Sequence, residues 1–159
     1  MAFQYADFRF YIAARFLLIF ALEMQAVAVG WQIYALTNRP LDLGLVGLAQ
    51  FLPGIFLFLA AGHAADRYPR RGIARLCCLS FSACSMLLLG LSLRALSSPG
   101  PVYVVLVLNG VVRAFNSPAL QALLPSLVPA EHFHNAVTWN ASMAQSAGIL
   151  GPMAGGLIY

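Results

Sequence analysis

The sequence predicts an all-α integral membrane protein, and three observations carry that prediction. The chain of 159 residues is 61% hydrophobic with 9% charged side chains, far short of the roughly 25% that keeps the surface of a soluble domain wet. Its apolar residues run in stretches long enough to cross a bilayer as helices, about 20 residues at ~1.5 Å rise each. The apolar-polar alternation of a barrel strand is absent, and a lone segment in hydrocarbon satisfies its backbone only as a helix. A water-soluble globule is thereby excluded, in keeping with a mean hydropathy of +0.81.

Charge and Pro/Gly/Ser/Asn punctuation divide the chain into five spans, at residues 10–34, 43–65, 73–96, 102–124 and 136–159. The N-terminus, beginning MAFQYADFRFYIAARF, lacks the short apolar core and small-residue cleavage site of a signal peptide, so the first span is expected to be retained. The second is bounded by Arg39 and by the charged run at Asp66; the third begins past Arg71 and ends near Arg94. The fourth starts after Pro99-Gly100-Pro101 and ends at Pro125, and the fifth follows the polar turn around Glu131, His132 and His134.

All nine basic residues are Arg. Arg9, Arg15, Arg67, Arg70, Arg71 and Arg75 fall on one side of the spans, and Arg39 and Arg94 on the other. The positive-inside tendency places the N-terminus and the connection between spans two and three in the cytoplasm. The net charge of +4 gathers at breaks between spans, which suits anionic lipid headgroups and not nucleic acid. Cys77, Cys78 and Cys84 share one apolar stretch without the spacing of a zinc site or a disulfide framework, and read as inert core thiols. His132 and His134 form an HxH in a short connection with no further ligand nearby, so neither a metal nor a cofactor is expected. No His falls deep in a span beside a nucleophile, which argues against an intramembrane enzyme.

The most specific stretch is Gly62-His63-Ala64-Ala65-Asp66-Arg67-Tyr68-Pro69-Arg70-Arg71. Arginines after a helix C-terminus complement its dipole, but Asp66 is disfavoured there and needs another partner, a nearby Arg or the N-terminus of a different helix. The stretch resembles the loop signature of the major facilitator superfamily, with Gly62, Asp66, Arg67, Arg70 and Arg71 on matching positions. Pro69 stands where that signature usually has Gly, and Ala64 where Leu is common. The resemblance implies that Gly62 lets the second helix pack on one from a C-terminal half. It also implies that Asp66 and the arginines latch the cytoplasmic side in the outward-facing state.

The fourth span carries Asn109, Arg113 and Asn116 at i, i+4 and i+7, on one helical face. An Arg in hydrocarbon costs roughly 2.5–3.5 kcal/mol on insertion scales and turns to a cavity or a partner. Arg113 resembles the fourth-helix Arg of proton-coupled superfamily members, although the Gly residues that usually follow it are missing. The run Ala114-Phe115-Asn116-Ser117-Pro118-Ala119, with Leu123-Leu124-Pro125-Ser126-Leu127-Val128-Pro129, is similar to the fourth-helix exit of the branch that holds the enterobactin exporter and drug efflux proteins.

In the fifth span Ala147, Gly151 and Gly155 form a ridge of small residues that simple helix packing would explain. Gly151-Pro152-Met153-Ala154-Gly155-Gly156 also resembles the second half of the antiporter signature of that superfamily. Glu23, the one acid far inside a span, lies ~20 Å from the cytoplasmic edge, about one helical turn from the depth of Arg113. The two are expected to share a cavity. Hydrocarbon favours a neutral carboxyl and a nearby Arg a charged one, so Glu23 is a candidate to take up and release a proton.

The resemblance implies five of the six helices of an N-terminal superfamily half, truncated, with the C-terminal half missing as its partner. It implies proton-coupled efflux of drug-like or amphipathic compounds across a bacterial inner membrane. A carrier for a siderophore, lipid or small metabolite, or a non-transporting membrane subunit, is the alternative. Membrane lipid, a small-molecule substrate and the proton are the remaining expected partners.

Overall fold

The computed structural model describes residues 4–93 and 98–158, apart from the side chains of Ala65 and Asp66. Five long helices follow one another: α1 (Ala6–Thr37), α2 (Pro40–Arg67), α3 (Arg70–Leu93), α4 (Gly100–Leu123) and α5 (Phe133–Ile158). Single 3-10 turns at Leu124–Ser126 and Ala130–His132 join α4 to α5, and no strand occurs among the described residues. Residues 94–97 and Tyr159, the expected ends of the third and fifth spans, lie outside the described residues.

Among the described residues four helices are both long and apolar enough to cross a membrane: Ala6–Thr37, Pro40–Ala64, Arg70–Leu93 and Gly100–Ser126. The fifth has the length, 26 residues, but is diluted by Asn135, Asn140, Ser142, Gln145 and Ser146 in its first half. Much of the apolar surface faces outward: Phe56, Phe58, Leu59, Leu79, Leu93 and Leu157 are each at least 70% exposed. Such a surface is stable against lipid and not against water. Hydroxyls in the helices return to their own backbone, Ser82 donating to the Cys78 carbonyl at 3.0 Å and Ser146 to that of Ser142 at 2.9 Å, which leaves no donor bare in hydrocarbon at either position. This is a multi-pass membrane protein.

The connections are tighter than the spans implied. Asn38 adopts φ of 53°, a left-handed conformation that Asn tolerates, and ends α1. One residue later Pro40 opens α2 at a position where its fixed φ suits a helix start and its missing N–H costs nothing. The expected cytoplasmic connection likewise shrinks to Tyr68 and Pro69, because Pro69 starts the next helix and its carbonyl accepts from Gly72 and Ile73 at 2.8 and 3.2 Å. Arg70, Arg71 and Arg75 are therefore helical residues of α3.

The chain divides into two compact units, one of residues up to Gln32 together with those from Leu124 on, the other Ile33–Leu123. In the second unit α4 is central, with α2 and α3 packed on it. Val102, Val105, Leu106, Asn109, Gly110, Asn116 and Ala119 are its buried residues. Cys77, Phe81, Cys84 and Leu88 form the buried stripe of α3. Cys78, one residue and 100° round from Cys77, is exposed, so only two of the three thiols are core residues. Tyr103 donates to the Asp42 carbonyl at 3.3 Å and Arg70 to that of Ala122. The start of α2 thus lies by the start of α4, and the start of α3 by the end of α4.

Among the glycines of this unit the tightest is Gly110, where an added Cβ would collide with the Gln50 carbonyl oxygen and come within 3.1 Å of the Pro53 ring. The backbones of α2 and α4 touch there. Gly47 on α2 has nothing within 4 Å of the same construction. Gly110→Ala is expected to cost about 1–3 kcal/mol and to lower the thermal midpoint of the detergent-solubilised protein, with Gly47→Ala close to unchanged. Equal midpoints would show that the α2–α4 contact is not tight.

Candidate functional site

The polar and small residues singled out by sequence fall into three places. The first is a seam between α1 and α5 in the first unit. A Cβ on Gly151 would lie 2.8 Å from Glu23 Cβ and 2.9 Å from the Phe20 carbonyl oxygen. One on Gly155 would lie 3.1 Å from the Met24 carbonyl and 3.2 Å from Val27 Cβ. Ascending one helix ascends the other, so α1 and α5 run parallel, and the Tyr5 and His132 rings, 6.3 Å apart and inclined at 50°, continue the register towards its start. Glu23, half-buried, is held at the tightest part of this seam. Gly148 and Gly156 have nothing within 4 Å, and Pro152 lies inside the helix between the two close contacts.

The register exposes two groups that sequence reasoning passed over. Arg15, counted there only as a topology charge, donates from Nη1 to the Tyr11 hydroxyl at 2.8 Å, while its Nε is buried without a partner. Asn140 Oδ1 on α5 is buried without one as well. Their sequence signal was weak, since neither belongs to a motif.

The second place is the polar face of α4. Asn109 and Asn116 are buried, 7% and 8% exposed, and Asn116 Oδ1 has no hydrogen-bond partner. Arg113, between them in sequence, is exposed. The three share one side of the helix as expected, but the two amides point inward and the guanidinium stands on the flank. Arg113 belongs to the second unit and Glu23 to the first.

The third place is the end of α2 and the start of α3. Arg67, Arg70 and Arg71 are exposed, and Arg70 spends one donor on the Ala122 carbonyl at the end of α4, a charge that complements that helix terminus. The Asp66 side chain lies outside the described residues. A Cβ on Gly62 would have nothing within 4 Å, although Gly62 is half-buried and its neighbour Ala61 is buried. His134 is exposed and His132 half-buried; among the described residues no three His, Cys, Asp or Glu side chains gather as metal ligands would.

The profile of the transmembrane secretion effector family, a branch of the major facilitator superfamily, matches residues 2–159. The chain belongs to that family. It is a family of transporters and not of enzymes. The enterobactin exporter EntS of Shigella boydii serotype 4 (strain Sb227) is 32% identical over 158 residues, covering 95% of this chain and 36% of the relative. EntS of Escherichia coli O1:K1 / APEC is 31% identical over the same length. The staphyloferrin A transporter of Staphylococcus aureus is 23% identical over 151 residues, 94% of this chain and 38% of the relative. The chain thus spans just over a third of the curated relatives it matches. No solved structure matches.

Within this family member the glycines of α5 separate into two kinds. Gly151→Ala is expected to open the α1–α5 seam and destabilise the protein by about 1–3 kcal/mol, whereas Gly156→Ala is tolerated. Thermal midpoints of the two variants side by side check this, and an equal loss in both would remove the distinction. Asn116→Leu replaces an unsatisfied buried amide by an apolar group of similar size, so stability is expected to hold or rise. A fall in stability would show that the Asn116 amide is satisfied in the folded protein.

Proposed function

We propose that this chain is the N-terminal transmembrane part of an exporter in the bacterial inner membrane, with its N-terminus in the cytoplasm. It works by alternating access, in exchange for protons, and its cargo is a siderophore-class small molecule. The observation that carries the reading is the likeness, along 94–95% of the chain, to proteins named enterobactin exporter and staphyloferrin A transporter. Superfamily members rock two helical halves about a midplane site, so a C-terminal half of the same protein is the partner these helices need.

The geometry supplies candidate parts. Glu23 lies midway along α1 where α5 comes closest, so a shift between those helices changes the surroundings of its carboxyl. A carboxyl moved between a closed, dry seam and an open, wet one changes its proton affinity. Arg113, with Asn109 and Asn116 on the same face of α4, is proposed as a second set of cavity residues. Gly62, with open space at its Cβ position, would receive a helix of the other half, and Asp66 with Arg67, Arg70 and Arg71 would latch that contact on the cytoplasmic side. A second reading, efflux of drug-like amphipathic compounds, is favoured by the antiporter-like run Gly151-Pro152 and Gly155-Gly156 in α5.

The complete protein, expressed in a bacterium stripped of its own enterobactin exporter, is expected to restore enterobactin in the medium, and Glu23→Gln at equal membrane abundance to abolish that recovery. Loss of dye or drug accumulation without enterobactin release would favour the second reading. Neither activity, in a protein that reaches the membrane, would point to a non-transporting subunit. Full export by Glu23→Gln would end the proposed role of that carboxyl.

A further inference from the structure

Pro152 stands inside α5, and proline has no N–H. The carbonyl of Gly148, four residues earlier, therefore has no helical donor, and the proline ring pushes it aside. Gly148 is half-buried, and a Cβ built on it would have nothing within 4 Å, so there is room beside its peptide. In hydrocarbon a carbonyl left in this way is costly until a donor reaches it.

One carboxyl is placed to serve it. The Cβ of a helical residue leans back over the preceding turn, towards i−3 and i−4, so the Cβ position of Gly151 overhangs Gly148 and Ala147. Glu23 Cβ lies 2.8 Å from that position. The carboxyl is two carbons further on, and a long helical side chain leans towards the start of its own helix. Since α1 and α5 run parallel, that lean carries the Glu23 carboxyl from the level of Gly151 to that of Gly148. The Gly148 carbonyl points the other way, towards the end of α5, and so to meet it. The other polar side chains of this stretch are turned elsewhere. Ser146 donates to the Ser142 carbonyl, Gln145 leans towards the start of α5, and Gln25 lies about 200° round α1 from Glu23.

We propose that the Gly148 carbonyl, released by Pro152, accepts a hydrogen bond from the neutral Glu23 carboxyl and so helps to hold the proton on it. This deepens the exporter reading and rests on Glu23 as its proton-carrying group. A protonated carboxyl has an O–H to give the carbonyl, whereas a carboxylate has only lone pairs, which the carbonyl oxygen repels. The proton thereby ties α1 to α5 through a peptide group that an uninterrupted helix keeps to itself, and its departure unties them. Between residues 16 and 30 of α1 and residues 144 and 158 of α5 Glu23 is the one ionisable side chain; Arg113 belongs to the second unit.

The test reads the proton on Glu23 directly. A hydrophobic carbodiimide adds to neutral carboxyls in hydrocarbon, and its adduct on Glu23 is counted by mass spectrometry of the complete protein in nanodiscs, at the pH where wild-type labelling is half-maximal. Pro152→Ala supplies the missing N–H, keeps α5 helical and claims the Gly148 carbonyl. It is expected to cut the labelling about threefold, as the loss of one neutral hydrogen bond does. Lactic acid at position 152 has neither ring nor N–H and is expected to label like the wild type, which separates the open carbonyl from the bend at proline. The same contrast is expected in an Arg113→Gln background. Equal labelling of Pro152→Ala and wild type would overturn the proposal, as would a Glu23 that resists labelling at every pH. An equal fall with lactic acid would overturn it in favour of the helix bend. Full export by Glu23→Gln beside the expected contrast would end the exporter role of this carboxyl and leave the hydrogen bond standing. Loss of export without the contrast would do the reverse.

Discussion

In hydrocarbon no hydrophobic effect presses one apolar helix against another, so this protein depends on the few places where two backbones come into direct contact. Gly110 against Gln50 and Pro53 is such a place in the second unit, and Gly151 and Gly155 against Phe20, Glu23 and Met24 are such places in the first. At these positions a single methyl group would meet backbone atoms, which cannot give way as the end of a flexible side chain can. Close approach brings many weak dispersion contacts within range together, and it sets the register of the neighbouring side chains. The parallel pairing of α2 with α4, and of α1 with α5, follows from those contacts.

The polar groups are organised around the same contacts. Glu23 sits beside Gly151, and Asn109 is the immediate neighbour of Gly110. A polar residue next to a backbone contact is placed with little freedom, because its own helix cannot rotate without breaking the contact. Hydroxyls elsewhere in the helices satisfy themselves on their own carbonyls, whereas Asn116 Oδ1, Asn140 Oδ1 and Arg15 Nε are buried without partners. Unsatisfied polar atoms are costly in an apolar surrounding.

The arginine-rich turn combines several duties in nine residues. Pro69 starts α3 directly after α2, so the arginines become helical and keep fixed directions. Arg70 ties the start of α3 to the end of α4, while Arg67, Arg71 and Arg75 are exposed. A flexible loop with the same composition would carry the same charge without fixing its direction.

The sequence by itself determined the membrane class and the all-helical fold, because these are properties of local stretches. Length, apolarity and backbone self-satisfaction are decided within one segment. It also marked Glu23, the α5 glycines and the charged turn as unusual, since a carboxylate or a cluster of arginines in apolar surroundings stands out without reference to any neighbour. Only the tertiary structure decided which of them meet. It separated Gly151 and Gly155 from Gly156 and Gly62, separated Cys77 and Cys84 from Cys78, made α4 the centre of its unit, and raised Gly110 from an unremarked residue to the most closely packed glycine there. The physical reason is that proximity between residues 20 and 151, or 50 and 110, depends on helix rotation and register. These are fixed by packing between distant segments, and no periodicity within either segment encodes them.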